Sequence, residues 1–261
     1  MKAAADAGLD MIGLTDHDTV EGWDEAAQAV ESTGVALLRG VEMSCSASGV
    51  TVHLLGYLID PTNVDILAAF ERTLDSRKTR ARRMVERLSA DFPITWEDVL
   101  AFGPVDGGPI GRPHIADALV ARGIFPNRNV AFEKALHPSL PYFVHHWAPD
   151  PLEATKLIRA AGGVPVLAHP RAMKRQRYVV SEETIAAMTQ VGLFGIERDH
   201  RDQSAHDRAA VDRIAKRLGL FEMGSSDYHG SGKPNRLGEN TTDPAIVARI
   251  AEQGKLEVLR P

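Results

Sequence analysis

Short apolar segments alternate with helical segments along most of this chain, and polar residues follow the apolar segments where they end. Before residue 61 the apolar segments lie at 10–14, 35–38 and 50–58, with a helical pattern at 20–31. After residue 147 the predicted helices at 151–161, 181–190 and 203–218 alternate with strands at 164–168, 193–197 and 220–223. This alternation is typical of an α/β sheet or barrel with parallel strands.

Residues 62–146 interrupt that pattern. They contain a long arginine-rich helical segment at 67–88 and shorter helical patterns near 96–102, 112–122 and 128–136, separated by Gly and Pro. No convincing strand pattern occurs among them. We therefore predict an all-helical insertion at 62–146, placed in a barrel domain that is formed by residues 1–61 and 147–261.

Composition narrows the classes of function. The 261 residues carry a formal net charge of -5 and include a single cysteine, Cys45. The slight negative charge provides no overall basic field for nucleic acid or membrane, and one cysteine cannot form an intramolecular disulfide. No apolar run approaches the ~20 residues that a membrane span needs. We expect a protein of the reducing cytoplasm.

The residues that follow the predicted strands are rich in His, Asp and Glu. Ligands of such folds bind at the carboxyl ends of the strands, so these side chains are expected to converge. Imidazole with carboxylate suits Zn, Mn or Fe, and closely spaced metal ions serve phosphoester cleavage. Any one residue could instead be a hydrogen-bonded loop residue or a helix cap, but their recurrence favours a metal site. The set is Asp16-His17-Asp18, Glu42, His53, His169, Glu197 and Asp227-Tyr228-His229.

Six segments carry a resemblance to a known family. They are Leu14-Thr15-Asp16-His17-Asp18-Thr19, Gly40-Val41-Glu42, His53-Leu54-Leu55-Gly56-Tyr57, Ala168-His169-Pro170, Gly195-Ile196-Glu197 and Gly224-Ser225-Ser226-Asp227-Tyr228-His229. Together they resemble the PHP (polymerase and histidinol phosphatase) family, in the branch of small bacterial phosphoesterases that act on nucleotides or RNA ends. The resemblance implies a distorted seven-stranded (β/α) barrel with up to three divalent ions, often Mn, Zn or Fe.

The same resemblance implies a role for each ligand. Glu42 would bridge two ions, and His53 and His169 would complete one of those two sites. His17 and His229 would hold a third ion, whereas Asp227 would join the first.

The helical insertion also matches that branch, in which it acts as a substrate cap. Gly111-Arg112-Pro113-His114-Ile115-Ala116 looks like the substrate-side motif, so Arg112 would bind phosphate and His114 would lie near the ester. The chemistry is consistent, because arginine presents a planar fork of donors to phosphate and histidine can protonate a leaving alkoxide. The alternative is a helix start with proline at its first position.

Further basic residues are candidates for substrate binding. Arg77 and Arg80 share a helical stripe at three-residue spacing, although a solvated helix face explains them equally. Arg177 and Lys233 follow two of the strand ends that carry candidate ligands. His200 comes three residues after Glu197, so it is expected to approach the same rim.

One departure from the family pattern concerns its opening strand, which carries two histidines as His-x-His. Residues 1–10 resemble instead the end of the first barrel helix. We therefore expect a barrel without its first strand and without two or three ligands. Three explanations of the missing strand stay open: a start site assigned too far downstream, an artificially shortened chain, or a natural remnant. A missing strand would leave two unpaired edges, which favours low stability or a homodimer.

These features predict a metal-dependent phosphoric ester hydrolase. Its substrates would be phosphate esters of nucleotides, such as nucleoside bisphosphates, or the ends of short RNA, cleaved by a metal-activated water. Two alternatives stay open: a phosphatase of histidinol phosphate or sugar phosphates, and a catalytically impaired remnant that binds nucleotide without turnover.

Overall fold

The computed structural model describes residues 1–103, 110–145, 147–172, 178–230 and 234–261. The chain forms two compact units. The first, which we call the sheet unit, contains residues 1–70 and 148–261. The second, the helical unit, contains residues 71–147.

Within the described residues the sheet unit is built on one mixed six-stranded sheet with the strand order β1-β2-β3-β4-β5-β6. The pair β1–β2 is parallel, as are β4–β5 and β5–β6, whereas β3 runs antiparallel to both β2 and β4. The mixed α/β class is therefore confirmed. The strands are β1 Met11–His17, β2 Ala36–Ala47, β3 Val50–Tyr57, β4 Val164–Leu167, β5 Gly195–Asp199 and β6 Phe221–Gly224.

The prediction of uniformly parallel strands was wrong for β3. Strands β2 and β3 are joined by only Ser48 and Gly49, which have φ angles of 49° and 83°. Two consecutive positive φ angles are the mark of the tight turn that joins antiparallel strands, and a parallel connection needs a much longer crossover. The segment at 255–259 makes a single isolated antiparallel bridge, from Leu259 to Leu37.

Helices accompany the strands of the sheet unit, and their starts follow ordinary capping chemistry. Asp150, Ser181, Ser204 and Asp243 each accept a backbone N–H bond at the start of a helix, which satisfies a donor that has no partner within the helix. The helices are α1 Lys2–Asp6, α2 Trp23–Gln28, α3 Val30–Thr33, α8 Pro151–Ala160, α9 Glu182–Gln190, α10 Ala205–Leu218 and α11 Pro244–Gln253.

The core of the sheet unit lies against both faces of the sheet. Leu54 is fully buried, and burying one leucine contributes roughly 2 kcal/mol to folding. A Cβ atom at Gly56 would come within 3.1 Å of Ile158 on α8, so glycine allows that helix to lie close against the strand. One cluster of buried residues contains Leu38, Leu55, Tyr57, Leu58, Val164, Val166, Ala168, Phe194, Met223 and Ile250.

The helical unit has a core of its own. It is built from α4 Val64–Leu88, which begins in the sheet unit, α5 Trp96–Leu100, α6 Arg112–Ala121, α7 Arg128–Ala131 and a π-helical turn at Phe132–Leu136. Met84, Leu88, Val99, Ile115 and Leu119 are all fully buried within one hydrophobic cluster. The part of the chain that the structure describes contains no helix with the length and apolarity that a bilayer crossing requires.

Candidate metal centre

The sheet register places three of the expected ligands on one face of the sheet. His17 on β1 lies opposite Glu42 on β2, and His53 on β3 lies opposite Ser44, two residues beyond Glu42. Side chains two residues apart on a strand share a face, and so do directly paired residues. The antiparallel turn thus brings His53 to the face that carries Glu42, although His53 lies within its strand and not at its end.

Glu42 is the centre of this cluster. Its Oε1 lies 2.6 Å from His53 Nδ1 and 3.3 Å from His169 Nε2, while Oε2 lies 3.8 Å from His17 Nε2. Its side chain is only 7% exposed, so the carboxylate is largely screened from water by the imidazoles. Burial by itself raises the pKa of Glu42, but contacts with His169 and His53 and the charge of His17 hold that pKa well below its usual value.

The histidine rings continue on both sides of this centre. Neighbouring ring centroids are 6.0 Å apart from His229 to His17, 4.9 Å from His17 to His53, 5.2 Å from His53 to His169 and 5.1 Å from His169 to His200. Residues that are distant in sequence are therefore brought together in one row, as the pattern at the strand ends predicted.

His169 is fixed by a second buried carboxylate. Its backbone N–H donates to Glu197 Oε2 over 2.9 Å, and Glu197 is 2% exposed. Burial raises the pKa of Glu197, against the lowering effects of His169 and His200. For His169, burial lowers the pKa of the ring, but the Glu42 contact and nearby carboxylates raise it overall. Glu197 thus binds the backbone of a candidate ligand, a role that its position in sequence did not reveal.

Three of the residues that follow strands adopt left-handed backbone conformations. The φ angle is 53° at Asp18, 26° at His169 and 46° at Asp227. Residues other than glycine occupy this region rarely and at a cost, and such strain concentrates at functional sites. Asp18 is held in place because its Oδ1 accepts the backbone N–H of Ser44 over 2.8 Å. The sequence motifs located these residues but gave no sign of the strain.

Asp227 and His229 form the last part of the centre. His229 Nδ1 lies 3.0 Å from the carbonyl oxygen of Asp227, an atom that can only accept, so Nδ1 carries the proton. The lone pair of His229 is then on Nε2, which leaves that nitrogen able to bind a cation. Asp227 Oδ1 is 3.2 Å from His229 Nδ1, and its side chain is 6% exposed.

The donor set fits a divalent cation. One donor atom each from His17, Glu42 and His53 lies within 4.8 Å of the other two. Imidazole nitrogen combined with carboxylate oxygen is the chemistry preferred by Zn, Mn and Fe. His169 Nε2 contacts the same Glu42 carboxylate, so it is a fourth candidate donor atom.

Four of the predicted substrate residues, Arg77, Arg80, Arg112 and His114, lie in the helical unit. Arg112 and His114 open α6, and the Gly111 backbone N–H donates to His114 Nδ1 over 2.9 Å. A helix does start here, although Pro113 is its second residue and not its first. The functional interpretation stays open, because His114 Nε2 carries the ring proton in that tautomer. Arg77 lies on α4 and is half-buried. Arg177 and Lys233 lie outside the described residues.

Arg80 and Arg112 form a cluster with aromatic residues that sequence reasoning did not single out. The Arg112 guanidinium lies over Phe132 and Phe143, at 5.6 and 5.5 Å from the ring centroids, and that of Arg80 lies 4.8 Å from Phe143. Arg80 Nε donates to the carbonyl oxygen of Val144 over 2.7 Å, and Arg112 Nη1 donates to that of Leu136 over 3.4 Å. Burial lowers the pKa of both guanidinium groups, and the charge of Arg112 lowers that of Arg80 further.

Proteins named for an enzymatic activity are similar in sequence to most of this chain. No family model matches the sequence. It is 33% identical to a 3',5'-nucleoside bisphosphate phosphatase of Chromobacterium violaceum, over all of this chain and 91% of the relative. It is 31% identical to a 5'-3' exoribonuclease of Haemophilus influenzae, over 89% of this chain and 84% of the relative.

Two solved structures are similar to this chain over nearly all of its length. A metal-dependent phosphoesterase of Bifidobacterium adolescentis is 44% identical, with a TM-score of 0.76 over 96% of this chain and 88% of that one. An amidohydrolase of Chromobacterium violaceum with bound sulfate and no metal is 29% identical, with a TM-score of 0.69 over 99% of this chain and 90% of that one. The chain therefore belongs to the PHP-like family of phosphoesterases that includes the nucleoside bisphosphate phosphatase and the exoribonuclease.

Proposed function

We propose that the protein hydrolyses phosphate esters of nucleotides, either nucleoside bisphosphates or the ends of short RNA, with the help of two or three divalent ions. The observation that carries the proposal is the buried Glu42 carboxylate, which contacts three imidazoles. A buried carboxylate among histidines at the edge of a sheet is an arrangement for holding cations. The relatives named for nucleotide and RNA substrates support the choice of substrate class.

The assignment of ligands follows the sequence motifs. Glu42, His53 and His169 would hold one ion, with Glu42 shared with a neighbouring site, and His17 and His229 would hold another, with Asp227 as a further ligand. A bound divalent ion supplies positive charge for the phosphoryl oxygens and lowers the pKa of water. Mn, Zn and Fe all suit this donor set.

The residues of the chain prepare the site for that ion. Glu42 has a depressed pKa and stays ionised at neutral pH, so it offers negative charge without first losing a proton. Glu197 fixes the backbone of His169, which restricts the direction in which the His169 ring can point. The His229 Nδ1–H bond to Asp227 directs Nε2 outward as the ligating atom.

We assign phosphate binding to the Arg80–Arg112 cluster of the helical unit. The charge of Arg112 lowers the pKa of Arg80, so this pair of guanidinium groups gains from an anion, and the fork of each matches phosphate oxygens. The Phe143 ring restricts both groups, which reduces the entropy lost when phosphate binds. His114 keeps an Nε2–H that can donate a hydrogen bond to the ester oxygen. Arg77, Arg177 and Lys233 are further phosphate contacts in this proposal.

The test is a panel of phosphate esters assayed with Mn²⁺. We expect phosphate release from a nucleoside 3',5'-bisphosphate or nucleotide release from 5'-phosphorylated RNA, and little from histidinol phosphate or a sugar phosphate. His169→Ala is expected to lower both metal content and hydrolysis. Arg112→Gln is expected to raise KM, with Arg82→Gln, an exposed arginine on α4, as the matched control. Preferred hydrolysis of a sugar phosphate would overturn the substrate class, and full metal content in His169→Ala would overturn the metal centre.

A further inference from the structure

His200 is a fully buried histidine at the end of the row of imidazoles, and none of the ligand assignments above uses it. Its relative exposure is 0%, and its ring centroid lies 5.1 Å from that of His169. It follows β5, and its carbonyl oxygen accepts bonds from the Gln203 backbone N–H and from Arg208 Nη2. Both the backbone and the ring of His200 are therefore held in one orientation.

The hydrogen bonds of the ring determine where its proton is. His200 Nδ1 accepts the backbone N–H of Asp202 over 3.1 Å, so Nδ1 must present a lone pair. The proton of the ring is then on Nε2, which cannot bind a cation in that tautomer. His229 is the opposite case, because its Nδ1 carries the proton and its Nε2 is available.

The Nε2 atom of His200 lies close to the Asp227 carboxylate. Nε2 lies 3.5 Å from Asp227 Oδ2, at the outer limit of a hydrogen bond, and it has no hydrogen-bond partner among the described residues. A buried donor without a partner is costly, and the nearby carboxylate oxygen is the atom that can satisfy it. The other carboxylate oxygen, Oδ1, faces His229.

We propose that His200 is a positioning residue for Asp227: its Nε2–H donates to Oδ2 and fixes the orientation in which the carboxylate binds a cation. The inference rests on the proposed role of Asp227 as a metal ligand. A hydrogen-bond partner that orients a ligating side chain typically changes metal affinity by 10–100-fold when it is removed. His200 itself contacts no cation and no substrate in this arrangement.

The test compares two amide variants of the full-length protein. In His200→Gln the amide N–H group reaches the position of Nε2 and can still donate to Asp227, whereas in His200→Asn it reaches only the position of Nδ1. We measure the Kd for Mn²⁺ by calorimetric titration of metal-free protein, and the Tm of the metal-free form. His206→Asn and His206→Gln are matched controls, because His206 is exposed on α10.

We expect His200→Asn to weaken Mn²⁺ binding by about 10–100-fold and His200→Gln to retain affinity close to that of the parent. Equal Mn²⁺ affinities of the two variants would overturn the positioning role. It would also be overturned if the loss of Mn²⁺ affinity in each variant were matched by a fall in the Tm of its metal-free form, since that would indicate general destabilisation. Asp227→Asn separates the two proposals. If it weakens Mn²⁺ binding while His200→Asn does not, only the positioning inference fails; if it has no effect, the ligand role of Asp227 fails first.

Discussion

Glu42 is a buried carboxylate whose histidine neighbours favour its ionised form. A carboxylate buried as deeply as that of Glu42 would normally be protonated, yet three imidazoles within 3.8 Å keep its pKa below the usual range. Without a cation, the raised pKa of His169 favours a proton, and therefore a positive charge, on that ring. A divalent ion would replace that proton, so metal binding is linked to the protonation of the residues around Glu42.

Glu42→Gln tests that connection at the level of a single residue. The amide keeps the shape of the side chain but removes its negative charge, so we expect metal binding to fall by at least tenfold and hydrolysis to fall with it. Metal content by mass spectrometry and phosphate release are the two measurements. Glu31→Gln, at an exposed position on α3, is the control and should change neither. Unchanged metal content in Glu42→Gln would contradict the central role of this carboxylate.

The individual elements show what the sequence could predict and what it could not. The segments at 164–168 and 193–197 were located because apolar runs of strand length stand between helical patterns, and β4 and β5 lie within two residues of those bounds. The direction of β3 was missed, because the periodicity of a strand carries no information about whether its neighbour is parallel. That information lies in the two-residue turn at Ser48 and Gly49.

The residues of the site likewise include some that the sequence could predict and some that it could not. His17, Glu42 and His53 were singled out because His and Glu recur at successive predicted strand ends, and the register brings the three side chains together. The contacts of Glu197 and His200 were not predictable, since each depends on a distance across the sheet unit and not on a local pattern. Phe143, which contacts Arg80 and Arg112, carries no signal in sequence beyond that of a core residue.

Helix α10 offers a test at the scale of one element. Ser204 Oγ accepts the Asp207 backbone N–H, and the Asp207 carboxylate accepts the backbone N–H and the hydroxyl of Ser204. Removing such a cap costs about 1 kcal/mol, so Ser204→Ala should lower the free energy of unfolding by that amount in urea titrations. Ser89→Ala, in which the lost hydroxyl caps no helix start, is the control. An unchanged unfolding midpoint in Ser204→Ala would contradict the capping role.

The same cap gives a direction for the effect of pH. The Ser204 hydroxyl lowers the pKa of Asp207, with smaller contributions from the Ser204 backbone and Arg171. A carboxyl group with a depressed pKa in the folded state stabilises the protein above its unfolded pKa, and that stability is lost as the pH falls through the folded value. The difference between the parent and Asp207→Asn should therefore be largest near neutrality and shrink in acid.

At the scale of the whole molecule, the two units have separate cores, and the candidate metal centre lies entirely in the sheet unit. Its candidate ligands come from β1, β2 and β3 and from the segments after β4 and β6. A cation bound there joins segments from residue 17 to residue 229, which only the folded chain brings together. Metal binding and folding of the sheet unit are therefore thermodynamically linked.

That linkage predicts the response of the full chain to metal removal. At a free Mn²⁺ concentration 100 times the Kd, binding stabilises the folded state by about 2.7 kcal/mol, which corresponds to a rise in Tm of roughly 5–10 °C for a chain of this size. Treatment with a chelator should lower the Tm by that amount, and added Mn²⁺ should restore it. Calorimetric scans of the parent, Glu42→Gln and Glu31→Gln at matched metal concentrations measure the effect. The shift should be present in the parent and in Glu31→Gln and largely lost in Glu42→Gln, because only that substitution removes charge from the centre; an equal shift in all three proteins would place the bound metal elsewhere in the chain.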